Sequence, residues 1–390
     1  MDSVLMENKV LKLDKSNWKL TKVGELAKDI SKRVDNPIES GYDRFVGLNH
    51  FISGDIKIKN WGPTKSLTSS TKAFEAGDIL FARRNAYLRR ASLVDFDGCC
   101  SGDAFVLREN HEKVVPGFLA FFMNSNALWD YANSNAAGTM SKRVKWRDLA
   151  EYEIFLPPID QQTQLVKLLW AMDDVICIES GLFKNIDDLL KVKRESLIID
   201  KNYPLVRLDE ICDKKISYGI VQAGPDIASG MPYIKSSNLS EDGIRVEELQ
   251  RTSDEIAQKY KRSEVLPGNI VFSLRGNLGE MNIVPDELEV ANLTQGTARL
   301  SVKNEYSTGY VKCALESSKI QRRIHALSKG STFKEISLET LRTVKIPIPK
   351  EEKAKEIFEV IKTIENNRKR IKAKCEVNKT LLKSLINQIF

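Results

Sequence analysis

The chain has 390 residues, too many for one ordinary hydrophobic core, so two domains plus connecting elements are the expectation. With 42% hydrophobic and 29% charged residues it can bury real cores, which excludes a disordered chain. Lysine and arginine outnumber aspartate and glutamate by 60 to 53, a net charge of +7 that fits a polyanionic partner without requiring one.

The opening stretch MDSVLMENKVLKLDKSNWKL lacks the apolar core of a signal peptide, and the strongest apolar cluster, FLAFFM at 118–123, is too short to span a bilayer. The expectation is a cytoplasmic protein with reduced thiols and no membrane contact. Cysteines at 99, 100, 177, 212, 313 and 375 form no CxxC pair, and of His50, His111 and His325 only His111 follows a cysteine closely, so no metal site is expected.

In chain order, residues 1–155 read as a mixed α/β domain. Short β-rich runs such as FVGL and DILFA alternate with Gly, Asn, Asp and Pro, and PGFLAFFMNSNALWDYAN reads as helical. Residues 156–202 follow as a long helix. Leu165, Leu169, Met172, Ile176, Glu179, Phe183, Ile186, Leu190, Lys193 and Leu197 keep the alternating four-three spacing of a heptad seam. Residues 203–346 return to the α/β pattern, with NIVFSL and ARLSV as strands. Residues 347–390 form a second long helix, whose seam is Ile357, Ile361, Ile364, Arg368, Ile371, Cys375, Asn378, Leu382, Leu385 and Ile389.

The second half repeats the first. FVGLNHFISGDI (45–56) parallels YIKSSNLSEDGI (233–244), and FEAGDILFARRN (74–85) parallels EVLPGNIVFSLRGN (264–277) with Gly77 on Gly268. AAGTMSKRVKWRDL (136–149) parallels SKGSTFKEISLETL (328–341), with Gly138 on Gly330 and Lys142 on Lys334. FLPPIDQQTQLVKLLWAMDDVI (155–176) parallels KIPIPKEEKAKEIFEVIKTIEN (345–366). Pro157-Pro158 and Pro347-x-Pro349 stop the preceding strand and suit a first helical turn, and Glu351-Glu352 suit the positive helix N-terminus. A helix of about 38 residues is about 57 Å long, so the two are expected to pack on each other as an antiparallel stalk. The pattern also fits each helix folding back on its own domain as an amphipathic cap. Gly181 and the polar residues on the seam weaken a uniform stripe.

Duplicated halves, each carrying G-T/S-x-x-K, a proline pair and a long helix, resemble the specificity (S) subunit of type I restriction-modification systems. Asp160-Gln161-Gln162 and Lys350-Glu351-Glu352 stand where that family has Glu-Gln. The resemblance implies two target recognition domains, each reading one part of a split, asymmetric DNA sequence, held apart by an antiparallel coiled coil with a pseudo-twofold internal repeat. It implies docking of two methyltransferase (M) subunits, which carry S-adenosylmethionine, and motor-nuclease (R) subunits can join them. No cofactor is expected on this chain.

Catalytic constellations are lacking. Asp35-Asn36-Pro37-Ile38 lacks the second proline and aromatic ring of an adenine methyltransferase loop, Gly62-Pro63-Thr64-Lys65-Ser66 is not a P-loop, and Pro285-Asp286-Glu287-Leu288-Glu289 has no nuclease lysine in place. A non-catalytic recognition chain is therefore expected. For DNA contact the densest candidate is Arg83, Arg84, Asn85, Tyr87, Arg89 and Arg90, where guanidiniums can reach phosphates or guanine edges. Arg275 and Asn277 stand as its counterpart, Asn being suited to adenine. Lys142, Arg143, Lys145 and Lys334 are expected to position the backbone, beside Gly138-Thr139 and Gly330-Ser331. Asn49, His50, Ser237 and Asn238 suit base edges or turns, and Tyr218 and Gln222 complete the set. Trp170, off the seam, is a candidate partner anchor or a packing residue. The competing function is a basic coiled-coil adaptor that binds nucleic acid without sequence specificity.

Overall fold

The computed structural model describes residues 13–30, 32–330 and 334–390, and the chain divides into two compact units. One runs to Ser180 and takes in Ala373–Phe390; the other is Gly181–Lys372. Each unit therefore combines one α/β domain with one half of each long helix.

In the first unit, Lys19–Lys22 pairs antiparallel with Glu153–Leu156, which brings the two ends of the domain together where the helix starts. A four-stranded sheet has the order Ala27–Asp29, Ala104–Glu109, Ile79–Ala82, Ala91–Leu93. Ile79–Ala82 is buried throughout, as its unbroken apolar sequence requires of a central strand. A five-stranded sheet places Arg44–Val46 parallel to Gly98–Cys100, with Phe45 opposite Cys99. Two hydrophobic clusters result, a large one around Phe81, Phe118, Phe121 and Trp129 and a smaller one around Val46, Phe74 and Val106.

The second unit repeats this plan. Leu205–Arg207 pairs with Lys345–Pro347, and a four-stranded sheet orders Ser217–Tyr218, Thr297–Leu300, Ile270–Ser273, Met281–Ile283. Met231–Ile234 lies parallel to Asn292–Leu293, the counterpart of the parallel pair in the first unit. Its cores gather around Phe272, Tyr310 and Ile346 and around Ile234, Val271 and Leu293.

The first long helix is Ile159–Ile198 and the second is Glu351–Ile389. Both proline pairs lie just before the helix and not within its first turn: Pro347 ends a strand and Pro158 immediately precedes Ile159. Gln162, 1% exposed, fixes the first helix to its domain. It accepts from the Val115 N–H at 3.0 Å and donates to the Lys113 and Pro157 carbonyls at 3.1 and 2.9 Å.

Within each unit the helices pack on each other, antiparallel. In the first unit Leu165, Leu169 and Ile176 share a core with Cys375, Leu382 and Ile389; in the second Leu190 and Ile198 share one with Ile357 and Ile361. Met172, Phe183, Ile186, Leu197, Ile364, Ile371 and Leu385 are half-buried, so no apolar residue of the expected seam is exposed. Three of its polar members, Glu179, Arg368 and Asn378, are paired across it. Asn378 donates to Glu179 at 2.8 Å with Lys374 3.2 Å from the other carboxylate oxygen, and the Arg368 guanidinium meets Asp187 at 2.7 Å over the Phe183 ring. As numbers climb along the first helix their partners fall along the second, the mark of antiparallel register. Lys193 departs from the expectation and is exposed.

Candidate nucleic-acid interface

Three separate stretches of the first unit meet at one end of its central strands. Ile79–Ala82 runs into Arg83-Arg84-Asn85, and Arg84 forms a β-bridge with Arg143, which also bridges Ala137. The Asn85 N–H donates to the Lys142 carbonyl at 3.0 Å and the Val144 N–H to the Arg83 carbonyl at 2.9 Å. Arg90 ties in the third stretch, donating to the Leu48 carbonyl at 2.7 Å and the Arg84 carbonyl at 3.3 Å. The Asn49-His50 turn, the arginine loop and the Lys142-Arg143 hairpin thus form one cluster.

A fourth stretch, Ser101-Gly102-Asp103, joins them without any motif that marks it in the sequence. The Asp103 carbonyl accepts from the Arg83 N–H at 3.0 Å, and its carboxylate accepts from Arg143 at 2.8 Å, with Arg84 at 3.6 Å. The Arg143 guanidinium, joined by Arg84, holds this carboxyl below the usual carboxylate range. No residue pattern marks Asp103 as special; it reaches the site because Ala104–Glu109 pairs with Ile79–Ala82.

The second unit builds the same cluster. Arg275 bridges Glu335, which bridges Lys329, and the Leu274 N–H donates to the Gly296 carbonyl at 2.8 Å. Arg275 therefore stands where Arg84 stands, Glu335 where Arg143 does and Gly296 where Asp103 does. Lys334 and Asn277 are exposed beside it, while Ser331 lies outside the described residues. Ser237 is exposed on the adjoining turn, and exposed Tyr218 and Gln222 flank Ile220, which bridges Thr294. Gly219 is required there, since a Cβ would fall 1.8 Å from the Leu293 carbonyl oxygen.

Several expected contacts have other employment. Asn85 is left-handed at φ 56°, and its counterpart is Gly276 at φ 76°, not Asn277. Asn tolerates that conformation, which accounts for its presence without adenine reading. Arg89, also left-handed, spends its guanidinium on Asn126 and Asp130, both at 2.7 Å. His50 accepts the Gly47 N–H at 3.0 Å and Asn238 the Lys235 N–H at 2.9 Å, one turn-holding role filled by two side chains. Asn238 is buried, whereas Asn49, Tyr87, Lys142 and Lys145 are exposed. Trp170 packs edge-on to Phe121 at 4.6 Å beneath the Lys57 ammonium at 4.4 Å, so packing is its evident role.

A family model for the type I restriction modification DNA specificity domain matches residues 15–187 and again 200–377. The chain belongs to this family. The type I restriction enzyme EcoDI specificity subunit of Escherichia coli is 26% identical to it over 174 residues, 43% of this chain but only 38% of that protein. The MjaVIII specificity subunit of Methanocaldococcus jannaschii is 22% identical over 394 residues, 90% of this chain and 86% of that one. The fold is shared with a type I restriction-modification S subunit from M. genitalium, with a TM-score of 0.63 and 17% identity across 97% of this chain and 98% of that one. The family is one of DNA specificity domains, and this chain carries two of them in sequence. Among the described residues one group, Cys313, Glu316 and Glu365, clusters as metal ligands do, but Arg194 already pairs with both carboxylates and Lys312 with Glu316 at 2.5 Å. No described helix is long and apolar enough to cross a membrane.

Proposed function

We propose that the chain reads a split, asymmetric DNA target, each unit's loop cluster reading one part, with the paired helices spacing the clusters and docking methyltransferase subunits that carry S-adenosylmethionine. Motor-nuclease subunits can join the same assembly. The observation that carries this reading is the repeated cluster, in which Arg84 with residue 143 and Arg275 with residue 335 occupy the same bridged position in two unlike sequences. Two similar frameworks can each approach a groove, and differing side chains then read different bases. Arg83, Arg84, Lys142 and Lys145 supply charge to the first cluster, where one carboxylate orients two guanidiniums. The second cluster relies more on uncharged groups, Ser237, Gln222, Tyr218 and Asn277, beside Arg275 and Lys334. The exposed apolar residues Ile178, Leu182 and Val192 of the first helix give partner subunits a surface that Trp170 does not.

Selection from a randomised duplex library by the assembled complex tests the reading. Arg83→Ala with Arg84→Ala relaxes one half of the selected motif and Arg275→Ala the other. Equal damage to both halves by either variant refutes it.

A further inference from the structure

We infer that Met140 is a specificity-determining residue that takes the C5-methyl group of a thymine in the first half of the target; this rests on the proposed reading of DNA by the first unit. Met140 is 98% exposed, the most exposed of the large apolar side chains described. It belongs to neither hydrophobic cluster of its unit, so the fold makes no use of it.

The hairpin that presents Met140 is rigidly held. Ala137 and Arg143 exchange both backbone hydrogen bonds, at 3.0 and 2.9 Å, and close a five-residue turn. Gly138 sits at φ 125°, where a Cβ would press to 3.2 Å from the Ser141 carbonyl oxygen. Ser141, next to Met140, accepts from Arg84 at 3.1 Å, and Arg84 and Arg143 share Asp103. An unbranched apolar side chain is thus borne at the apex of a hydrogen-bonded turn whose surroundings are the cations Arg84, Lys142 and Arg143.

Those cations select the partner. Three cations against the single Asp103 carboxylate leave a net positive charge, which suits a polyanion and disfavours the apolar face of another protein. On a duplex, phosphates occupy the guanidiniums, and what projects beyond them reaches base edges. The apolar substituent that base edges offer in the major groove is the thymine methyl. The corresponding residue of the second copy, Thr332, lies outside the described residues.

A thymine-to-uracil scan removes each methyl singly without altering hydrogen bonding. With the assembled complex and its selected target, one uracil in the first half weakens wild-type binding about three- to tenfold, the scale of one methyl group removed from water, and that loss disappears in Met140→Ala. Met140→Gln, of similar length but polar, behaves as the alanine variant. If every uracil penalty survives in Met140→Ala, or if that variant loses affinity equally for thymine and uracil duplexes, as a wedge between base pairs would, the inference is overturned while the reading of DNA stands. A wild-type complex with no sequence preference overturns both.

Discussion

Asp103 sets what the arginines of the first cluster can do. Its carboxylate holds Arg143 and steadies Arg84, so under the proposed reading these guanidiniums would meet DNA in one geometry and not as free charges. Asp103→Asn removes that constraint and one negative charge. Binding to arbitrary duplex should strengthen while discrimination at the first half-target falls about tenfold, the scale of one mismatched base pair. Titrations against matched and mismatched duplexes at two salt concentrations measure both; unchanged discrimination would show that Asp103 orients nothing. At this scale the sequence is least legible. The basic run 83–90 looks uniform, yet Arg90 bridges two carbonyls, Arg89 faces Asn126 and Asp130, and Asn85 stands in for a glycine. Only folded neighbours separate these roles.

The long helices are specified by apolar spacing and tuned by polar pairs. Glu179 is 5% exposed and depends on the Asn378 amide and Lys374. Asn378→Leu leaves a buried carboxylate oxygen without its donor and should lower stability by about 1–3 kcal/mol. Replacing both Glu179 and Asn378 with Leu should recover that loss, because a matched apolar pair needs no desolvated charge. Urea unfolding of the two single variants and the double variant forms the cycle, and additive losses would mean the two residues do not interact. Adding one heptad to each helix lengthens it by about 10.5 Å. Under the proposed spacing role the preferred gap between half-targets grows by about 3 base pairs; an unchanged gap in library selection would remove the helices from that role. The seam was readable because its spacing is local. The cross-helix partners of Glu179 and Arg368 were not, since they depend on register between segments nearly 200 residues apart.

For the molecule as a whole, duplication carries most of the meaning. Aligned glycines, the G-T/S-x-x-K segment and the proline hinges revealed two copies, and each copy repeats the two-stranded end pairing, the four-stranded sheet and the parallel strand pair, although that pair lies in a five-stranded sheet in the first copy and a three-stranded one in the second. What the alignment hid is how distant loops converge. The parallel pairing of Phe45 with Cys99, and of Tyr233 with Asn292, carries the 48–50 and 236–238 turns to the arginine loops, a non-local step that no short motif encodes. The same frame holds different residues at matching places: Asp103 against Gly296, Arg143 against Glu335. Under the proposed reading, two unlike readers on one plan imply a target of two unlike parts. Methylome sequencing of a host with and without the chain tests this most directly. The account predicts an N6-methyladenine motif in two dissimilar segments separated by unspecified bases, present with the chain and absent without it; a contiguous or symmetric motif, or one that survives deletion, contradicts it.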